Sequence, residues 1–204
     1  CIRDSNNGPE VFRVQLQPDG KIFIAGRIAS VAGQSWAHFA RLNPDGSLDT
    51  TFPALSGLSQ MTDFAVQADG RIVVAGAFST LNGVSRNHLA RLLPNGTVDT
   101  TYANGVGDPI NESISMLVGQ PDGSVIVGGG FNTLAGHGRG RLARLGPGGA
   151  IERALSAATD GPVEVAVHQP DGKTIIGGTF STVAGVARAN LARLNADSTL
   201  DISF

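Results

Sequence analysis

Short apolar runs are strung along this chain between clusters of Gly, Asp, Asn and Pro. VFRVQL, TDFAV, SMLVG and VEVAV precede the turns QPDGK, QADGR, QPDGS and QPDGK, and IFIAG, IVVAG, VIVGG and TIIGG follow them. Each such pair predicts a β-hairpin. No segment carries a 3.6-residue apolar stripe over about ten positions, so no helix is expected.

The pattern repeats. The turn glutamines Gln17, Gln67, Gln120 and Gln169 are separated by 50, 53 and 49 residues. A second hairpin closes each quarter of the chain: AHFARLNPDGSLDTTF (37–52), NHLARLLPNGTVDTTY (87–102), GRLARLGPGGAIERAL (140–155) and ANLARLNADSTLDISF (189–204). In the second copy Pro94, Asn95 and Gly96 suit a three-residue connection, with Pro fixing φ and Gly taking the left-handed position of a G1 bulge. Counting outward pairs Leu92 with Val98 and Arg91 with Asp99. The same count pairs Leu42 with Leu48 and Arg41 with Asp49, Leu145 with Ile151 and Arg144 with Glu152, and Leu194 with Leu200 and Arg193 with Asp201. Applied to the first hairpins, it places Leu16 opposite Ile22 and Val66 opposite Ile72.

The unit is therefore strand, turn, strand, loop, strand, turn, strand, which is the size of a propeller blade. The expectation is an all-β, β-propeller-type array of four four-stranded antiparallel blades, either a closed four-bladed ring or a segment of a larger propeller. It forms one repeat domain, 1–204, with units 1–52, 53–102, 103–155 and 156–204. The small pairs Ala25–Gly26, Ala75–Gly76, Gly128–Gly129 and Gly177–Gly178 end the second strands and let backbones approach closely. Gly33, Gly83, Gly136 and Gly185 read as fixed turns in the loop between hairpins. The rings of Phe78 and Phe180 suit a wedge between blades, with Ile28 in that place in the first unit. The segment 103–113, ANGVGDPINES, reads as a surface excursion.

Composition narrows the function classes. Hydrophobic residues make up 41% of the 204, enough for a core, while 28 glycines and nine phenylalanines against one Trp and one Tyr favour small stacked elements over an aromatic-lined sugar or base site. A net charge of −2 gives no electrostatic case for nucleic acid. No apolar run approaches the roughly eighteen residues of a membrane span. The single cysteine, Cys1, excludes an intrachain disulfide. It is either a lipid-modified first residue or the point where a longer chain is cut, and the cut is preferred.

Candidate chemistry is weighed against repetition. The eight residues of the Arg–carboxylate pairs recur in all four units, which marks them as structural ion pairs. His38 and His88 occupy matching positions, but Arg141 and Asn190 stand there in the other units and no ligand spacing completes a metal shell. His137 and His168 are isolated. Asp19, Asp69, Asp122 and Asp171 each supply one acid per turn, unlike a calcium loop. Asn95 and Asn111 sit in N-x-S/T triplets. No nucleophile elbow, zinc or phosphate-loop pattern is present, so no metal and no cofactor is expected. One binding candidate is left: the loop arginines Arg86, Arg139 and Arg188, related by the repeat, with Trp36 in the first unit. Hydrogen bonding between blades is their preferred role, and an anionic or carbohydrate partner the alternative.

QPDGK followed by an apolar strand and GG, then F-S-T-V-x-G-V-x-R and N-L-A-R-L-N-x-D-G-S-L-D-x-x-F, closely resembles the delta-sixty repeat, found in very large secreted bacterial proteins. The likeness covers the whole chain, the third unit departing with GPGGAIERAL. It implies an extracellular or cell-surface location and repeat architecture, without catalytic residues to carry over. The reading is a non-catalytic scaffold or adhesion module whose partners are further repeats of the same chain, a protein or a surface glycan. A lectin-like propeller stands second. A hydrolase or lyase stands third, because it would need a non-repeated cluster of acids or His at the axis.

Overall fold

The structure is a computed structural model describing residues 10–28, 30–31, 34–35, 38–102, 113–134, 137–138, 140–152 and 157–204. The first unit holds β1 (Glu10–Leu16), β2 (Ile22–Arg27), β3 (Ser30–Val31), β4 (Gln34–Ser35) and β5 (Phe39–Leu42). The second holds β6 (Gln60–Val66), β7 (Ile72–Ala77), β8 (Thr80–Leu81), β9 (Val84–Ser85) and β10 (Leu89–Leu92). The third holds β11 (Ile114–Gly119), β12 (Val125–Gly129), β13 (Thr133–Leu134), β14 (His137–Gly138) and β15 (Leu142–Leu145). The fourth holds β16 (Val163–His168), β17 (Thr174–Gly178), β18 (Thr182–Val183), β19 (Val186–Ala187) and β20 (Leu191–Leu194). The fold is all-β, built of four repeated sheet units consistent with propeller blades.

Each main sheet has three strands in the order β1-β2-β5, β6-β7-β10, β11-β12-β15 or β16-β17-β20. The expected fourth strand is reduced to a single bridge: Leu42 with Leu48, Leu92 with Val98, Leu145 with Ile151 and Leu194 with Leu200. Leu16 pairs with Ile22 and Val66 with Ile72, the register counted from three-residue turns. The turn backbone agrees: Gln17 N donates to Lys21 O, and Gly20 N donates to Gln17 O. The loops between the main hairpins contain short hairpins of their own, β3–β4, β8–β9, β13–β14 and β18–β19, whose two-residue arms are too short to display a period.

Gly20, Gly46, Gly70, Gly96, Gly123, Gly149 and Gly172 occupy the left-handed turn position with φ between 80° and 86°. Ser198 holds the same place in the last turn at φ 66°. A bulge on each inner strand, at Val11/Arg13, Met61/Asp63, Ile114/Met116 and Val163/Val165, sits against a glycine at or one residue before the end of the next strand. A methyl group on Gly26, Gly76, Gly129 or Gly178 would overlap the backbone oxygen of Glu10, Gln60, Ser113 or Pro162. Only glycine permits that approach.

The cores lie between units. Phe23, Ala25, Phe39 and Phe52 of the first unit bury against Phe64, Ile72, Val74 and Leu92 of the second. Val73, Ala75, Leu89 and Tyr102 bury against Leu117, Val125, Val127 and Leu145 of the third. Met116, Val118, Ile126 and Leu142 bury against Val163, Ile176, Ala192 and Leu194 of the fourth. Phe78, Phe131 and Phe180 occupy these junctions as wedges, and all are buried. Stability is thus distributed over neighbour-to-neighbour contacts.

Candidate functional site

The hairpin register sets each Arg of the ARL strand beside the acid eight residues on. Arg41 Nε lies 2.7 Å from Asp49 Oδ2, Arg91 NH2 2.8 Å from Asp99 Oδ2, Arg144 NH1 2.5 Å from Glu152 Oε2 and Arg193 Nε 2.8 Å from Asp201 Oδ2. A second cation approaches the acid from the first hairpin, a contact the sequence reading missed. Lys21 Nζ is 2.6 Å from Asp49, Lys173 Nζ 2.8 Å from Asp201, and Arg71 Nε 3.9 Å from Asp99. The signal was the base after the Asp-Gly of the turn in three units; in the third, Ser124 Oγ accepts from Arg144 Nε instead.

Three of the four guanidinium groups are also covered by a ring. Arg41 stands 4.7 Å from the Phe52 ring centroid, Arg91 4.3 Å from Tyr102 and Arg193 4.7 Å from Phe204. Arg41 NH1 donates to Pro94 O of the next unit at 2.9 Å, and Arg91 NH1 to Pro147 O. Burial would push the carboxyls of Asp49 and Asp99 up, but hydrogen bonds outweigh it. Lys21, Thr51 and Arg41 hold Asp49 well below the carboxylate range, and Thr101 and Arg91 bring Asp99 down to about 2. At Asp201 the Lys173 bond leads in the same direction, joined by Ser203 and Arg193. Burial pushes the Tyr102 hydroxyl up to about 12.

Arg86 and Arg188 fold onto their own units. Arg86 NH2 donates to the carbonyls of Asp99 and Thr100 at 3.3 and 3.2 Å, and NH1 to Ser85 O. Arg188 repeats this with Ile202 O at 3.1 Å and Ala187 O. These bonds run within a unit, whereas the sequence reading preferred bonds between blades. Arg139, Trp36, Cys1, Gly33, Gly136, Asn111 and the segment 103–112 lie outside the described residues.

The turn aspartates act as local acceptors: Asp19, Asp69, Asp122 and Asp171 each receive the backbone N–H two residues on. Asn95 does the same for Thr97. His38, His88, Arg141 and Asn190 share a left-handed backbone, with φ between 60° and 65°. Their carbonyls receive the N–H of Gly26, Gly76, Gly129 and Gly178. The matched histidines therefore mark a conformational position, which His, Asn and Arg fill without shared side-chain chemistry. His168 Nδ1 lies 3.3 Å from Thr174 Oγ1. Among the described residues no group of three or more His, Cys, Asp or Glu is placed to hold a metal ion, and no helix is long and apolar enough to cross a membrane.

The inner strands β1, β6, β11 and β16 converge on an axial cleft holding a polar group that does not repeat. Four residues before each turn glutamine stand Arg13, Asp63, Met116 and Val165. Arg13 Nε lies 3.5 Å from Asp63 Oδ1, while Asp63 also accepts the N–H of Phe64 and, across the unit junction at 2.7 Å, of Leu117. Burial dominates and pushes the Asp63 carboxyl up, against Arg13 and these bonds. Thr62, Asp63, Ser115 and Glu164 line a cavity of about 180 Å3 here, and Thr62 Oγ1 is buried without a partner. The sequence reading found no non-repeated cluster of acids or His at the axis; the break in the column from basic to acidic to apolar was the signal for the single Arg13–Asp63 pair.

No curated protein matches the chain. Among solved structures it is similar to the extracellular domain of BT4673 from B. thetaiotaomicron, described as a one-component system. Identity there is 17% and the TM-score 0.52, over 98% of this chain and 23% of that one. A second structure of the BT4673 extracellular domain, described as a hybrid two-component system, aligns over 98% of this chain and 34% of its own at 14% identity and TM-score 0.39. A Bacteroides caccae protein of unknown function aligns over 96% and 81% at 13% and 0.39. The first of these likenesses supports the fold alone, and this chain spans about a quarter of that protein. The profile of a domain of unknown function, the DUF5122 β-propeller, matches four times, at residues 17–52, 67–102, 120–153 and 169–204, and the chain belongs to that family.

Proposed function

We propose that the chain is a non-catalytic extracellular or cell-surface repeat module, of the kind the delta-sixty resemblance implies, serving as a scaffold or interaction domain. The observation that carries this reading is where the repeated charges go. Arg41, Arg91 and Arg193 are each held by an acid and an aromatic ring, and the first two reach the next unit's turn carbonyl. Charges so engaged fasten blades. Asp63, the non-repeated acid, has both oxygens occupied. The extracellular placement is supported by the extracellular sensor domain of similar fold.

A lectin-like reading is favoured by one feature, the axial cleft. There Thr62 Oγ1, in the cavity that Asp63 lines, and Gln15 Oε1, in the adjoining one, lack partners, a setting able to bond sugar hydroxyls. The loop arginines Arg86, Arg139 and Arg188 remain the proposed contact for an anionic partner.

Beads coated with the chain test the module, assayed for adhesion to bacterial surfaces and on a glycan array, beside a panel of chromogenic glycosides and esters. Adhesion without turnover is expected. Turnover abolished by Asp63→Asn would sink the non-catalytic reading, and a glycan signal lost in Thr62→Val would promote the second.

A further inference from the structure

The chain contains four Asn-Gly steps, and two of them, Asn82-Gly83 and Asn95-Gly96, fall among the described residues. At such a step the side-chain amide is open to attack by its own backbone, because the nitrogen that follows has no Cβ beside it to hinder approach. Both steps lie in hairpin turns, and in both the amide oxygen is held by two donors. Asn82 Oδ1 accepts from Ser56 N at 2.7 Å and from Ser56 Oγ at 3.3 Å. Asn95 Oδ1 accepts from Thr97 N at 3.1 Å and from Thr97 Oγ1 at 2.8 Å. Such donors draw electron density from Cγ and stabilise the negative charge that develops on Oδ1 during attack. The two amides are therefore comparably polarised.

They differ in the nucleophile. Gly96 N donates to Leu93 O at 2.8 Å, and Gly96 is buried so closely that a methyl group there would overlap Pro53. Its hairpin also carries the Arg91–Asp99 pair. Gly83 N has no acceptor among the described residues, Gly83 is exposed, and a methyl group there would meet nothing within 4 Å. The arms of β8 and β9 are two residues each, so this hairpin opens at little cost, whereas opening the turn at Asn95 disturbs a packed junction. Nor does the fold require the amide: Ala32, Ala135 and Ala184 stand at this place in the other units. Ala184 has the same left-handed backbone, φ 51° against 48° at Asn82, and Ala184 N donates to Ala158 O as Asn82 N does to Ser56 O.

We propose that Asn82 is a site of spontaneous succinimide formation and deamidation in the folded chain, while the fold shields Asn95. Gly83 N attacks Asn82 Cγ, the new N–Cγ bond closes a succinimide ring, and the Cγ–Nδ2 bond breaks. The proton lost from Gly83 N is balanced by the one that carries Nδ2 away as ammonia. Water, the single co-reactant, then opens the ring without any oxidant or reductant. Its addition at Cγ leaves aspartate, whereas addition at the main-chain carbonyl leaves isoaspartate, with the backbone running through the former side chain. Aspartate can still accept from Ser56 N. Isoaspartate adds a carbon to a two-residue turn and shifts β8 against β9.

Incubation of the 204-residue chain at mildly alkaline pH, folded and in parallel in unfolding concentrations of urea, tests this. Peptide mass spectrometry reads the exchange of ammonia for water at each asparagine, and fragmentation separates isoaspartate from aspartate. In the folded chain Asn82 is expected to convert severalfold faster than Asn95. In urea the two rates should converge, because both steps are then Asn-Gly in an open chain. Conversion of Asn82 no faster than that of Asn95 in the folded chain overturns the proposal. A rate ratio that urea leaves unchanged overturns it equally, since flanking sequence and not the fold would then set the difference.

Discussion

Arg91 and Asp99 face each other across the second hairpin with side chains 5% exposed, NH2 to Oδ2 at 2.8 Å and Nε to Oδ2 at 3.0 Å. The pair is a hub as well as a strand contact. Thr101 donates to the other carboxylate oxygen, Tyr102 covers the guanidinium, and NH1 reaches Pro147 in the next unit. One ion pair therefore couples the end of this blade to its neighbour.

Arg91→Ala strands the Asp99 carboxylate in that enclosure. A loss of about 3–5 kcal/mol in urea unfolding is expected, as for other buried pairs broken on one side. Arg144→Ala, in the more exposed third-unit pair, should cost clearly less. Equal losses would show that burial does not set the cost.

The depressed carboxyls give stability a pH dependence of fixed sign. Asp99 titrates near 3.9 in the unfolded chain and at about 2 in the fold, and Asp49 and Asp201 shift the same way. Their contribution is complete above the unfolded value and declines as pH falls from about 4 toward about 2. Melting temperatures across that window should drop, and Asp99→Asn should flatten the curve. Asp63 shifts upward, so its ionisation opposes folding as pH rises above about 4, and Asp63→Asn at neutral pH should cost less than Asp99→Asn.

Much of this was legible because local chemistry repeats. Pro94-Asn95-Gly96 specifies its turn, the turn specifies the register, and the register brings Arg91 to Asp99. What was not legible depends on contacts between hairpins. Lys21 meets Asp49 across 28 residues, and Asp63 reaches Leu117 across 54. The arms of β8 and β9 are two residues each, below the length at which alternation can be seen.

Ser198 occupies a left-handed turn position that glycine fills in seven other turns, and its Oγ is buried without a partner. Ser198→Gly should stabilise the chain by about 1–2 kcal/mol by relieving the backbone. A Gly76→Ala variant, whose methyl would meet the Gln60 carbonyl, should be destabilised. Urea midpoints of the two variants should move in opposite directions.

Arg86 holds the carbonyls of Asp99 and Thr100, so Arg86→Ala should cost about 1.5–3 kcal/mol, the range for charged hydrogen bonds. Under the interaction reading the same variant weakens bead adhesion at temperatures where circular dichroism shows it fully folded. Adhesion unchanged while the fold is weakened would leave Arg86 as a tether of its own hairpin and remove it from the binding site.

The last prediction concerns His88, whose φ of 61° and carbonyl bond to Gly76 N define its position. The ring lies close to the same strand end, Nδ1 at 3.1 Å from Gly76 O. Asn190 fills the equivalent place in the fourth unit with a short side chain that tolerates the left-handed region. His88→Asn should therefore melt within about 0.5 kcal/mol of wild type, as an isolated change at a compatible site does. His88→Val introduces a β-branched side chain where φ is positive and should cost at least about 1–2 kcal/mol. If the residue served as a metal ligand the order would differ, with both variants equally damaging and the wild type alone stabilised by added zinc. Melts of the three proteins with and without zinc decide it, and a zinc-dependent rise confined to wild type would refute the conformational assignment.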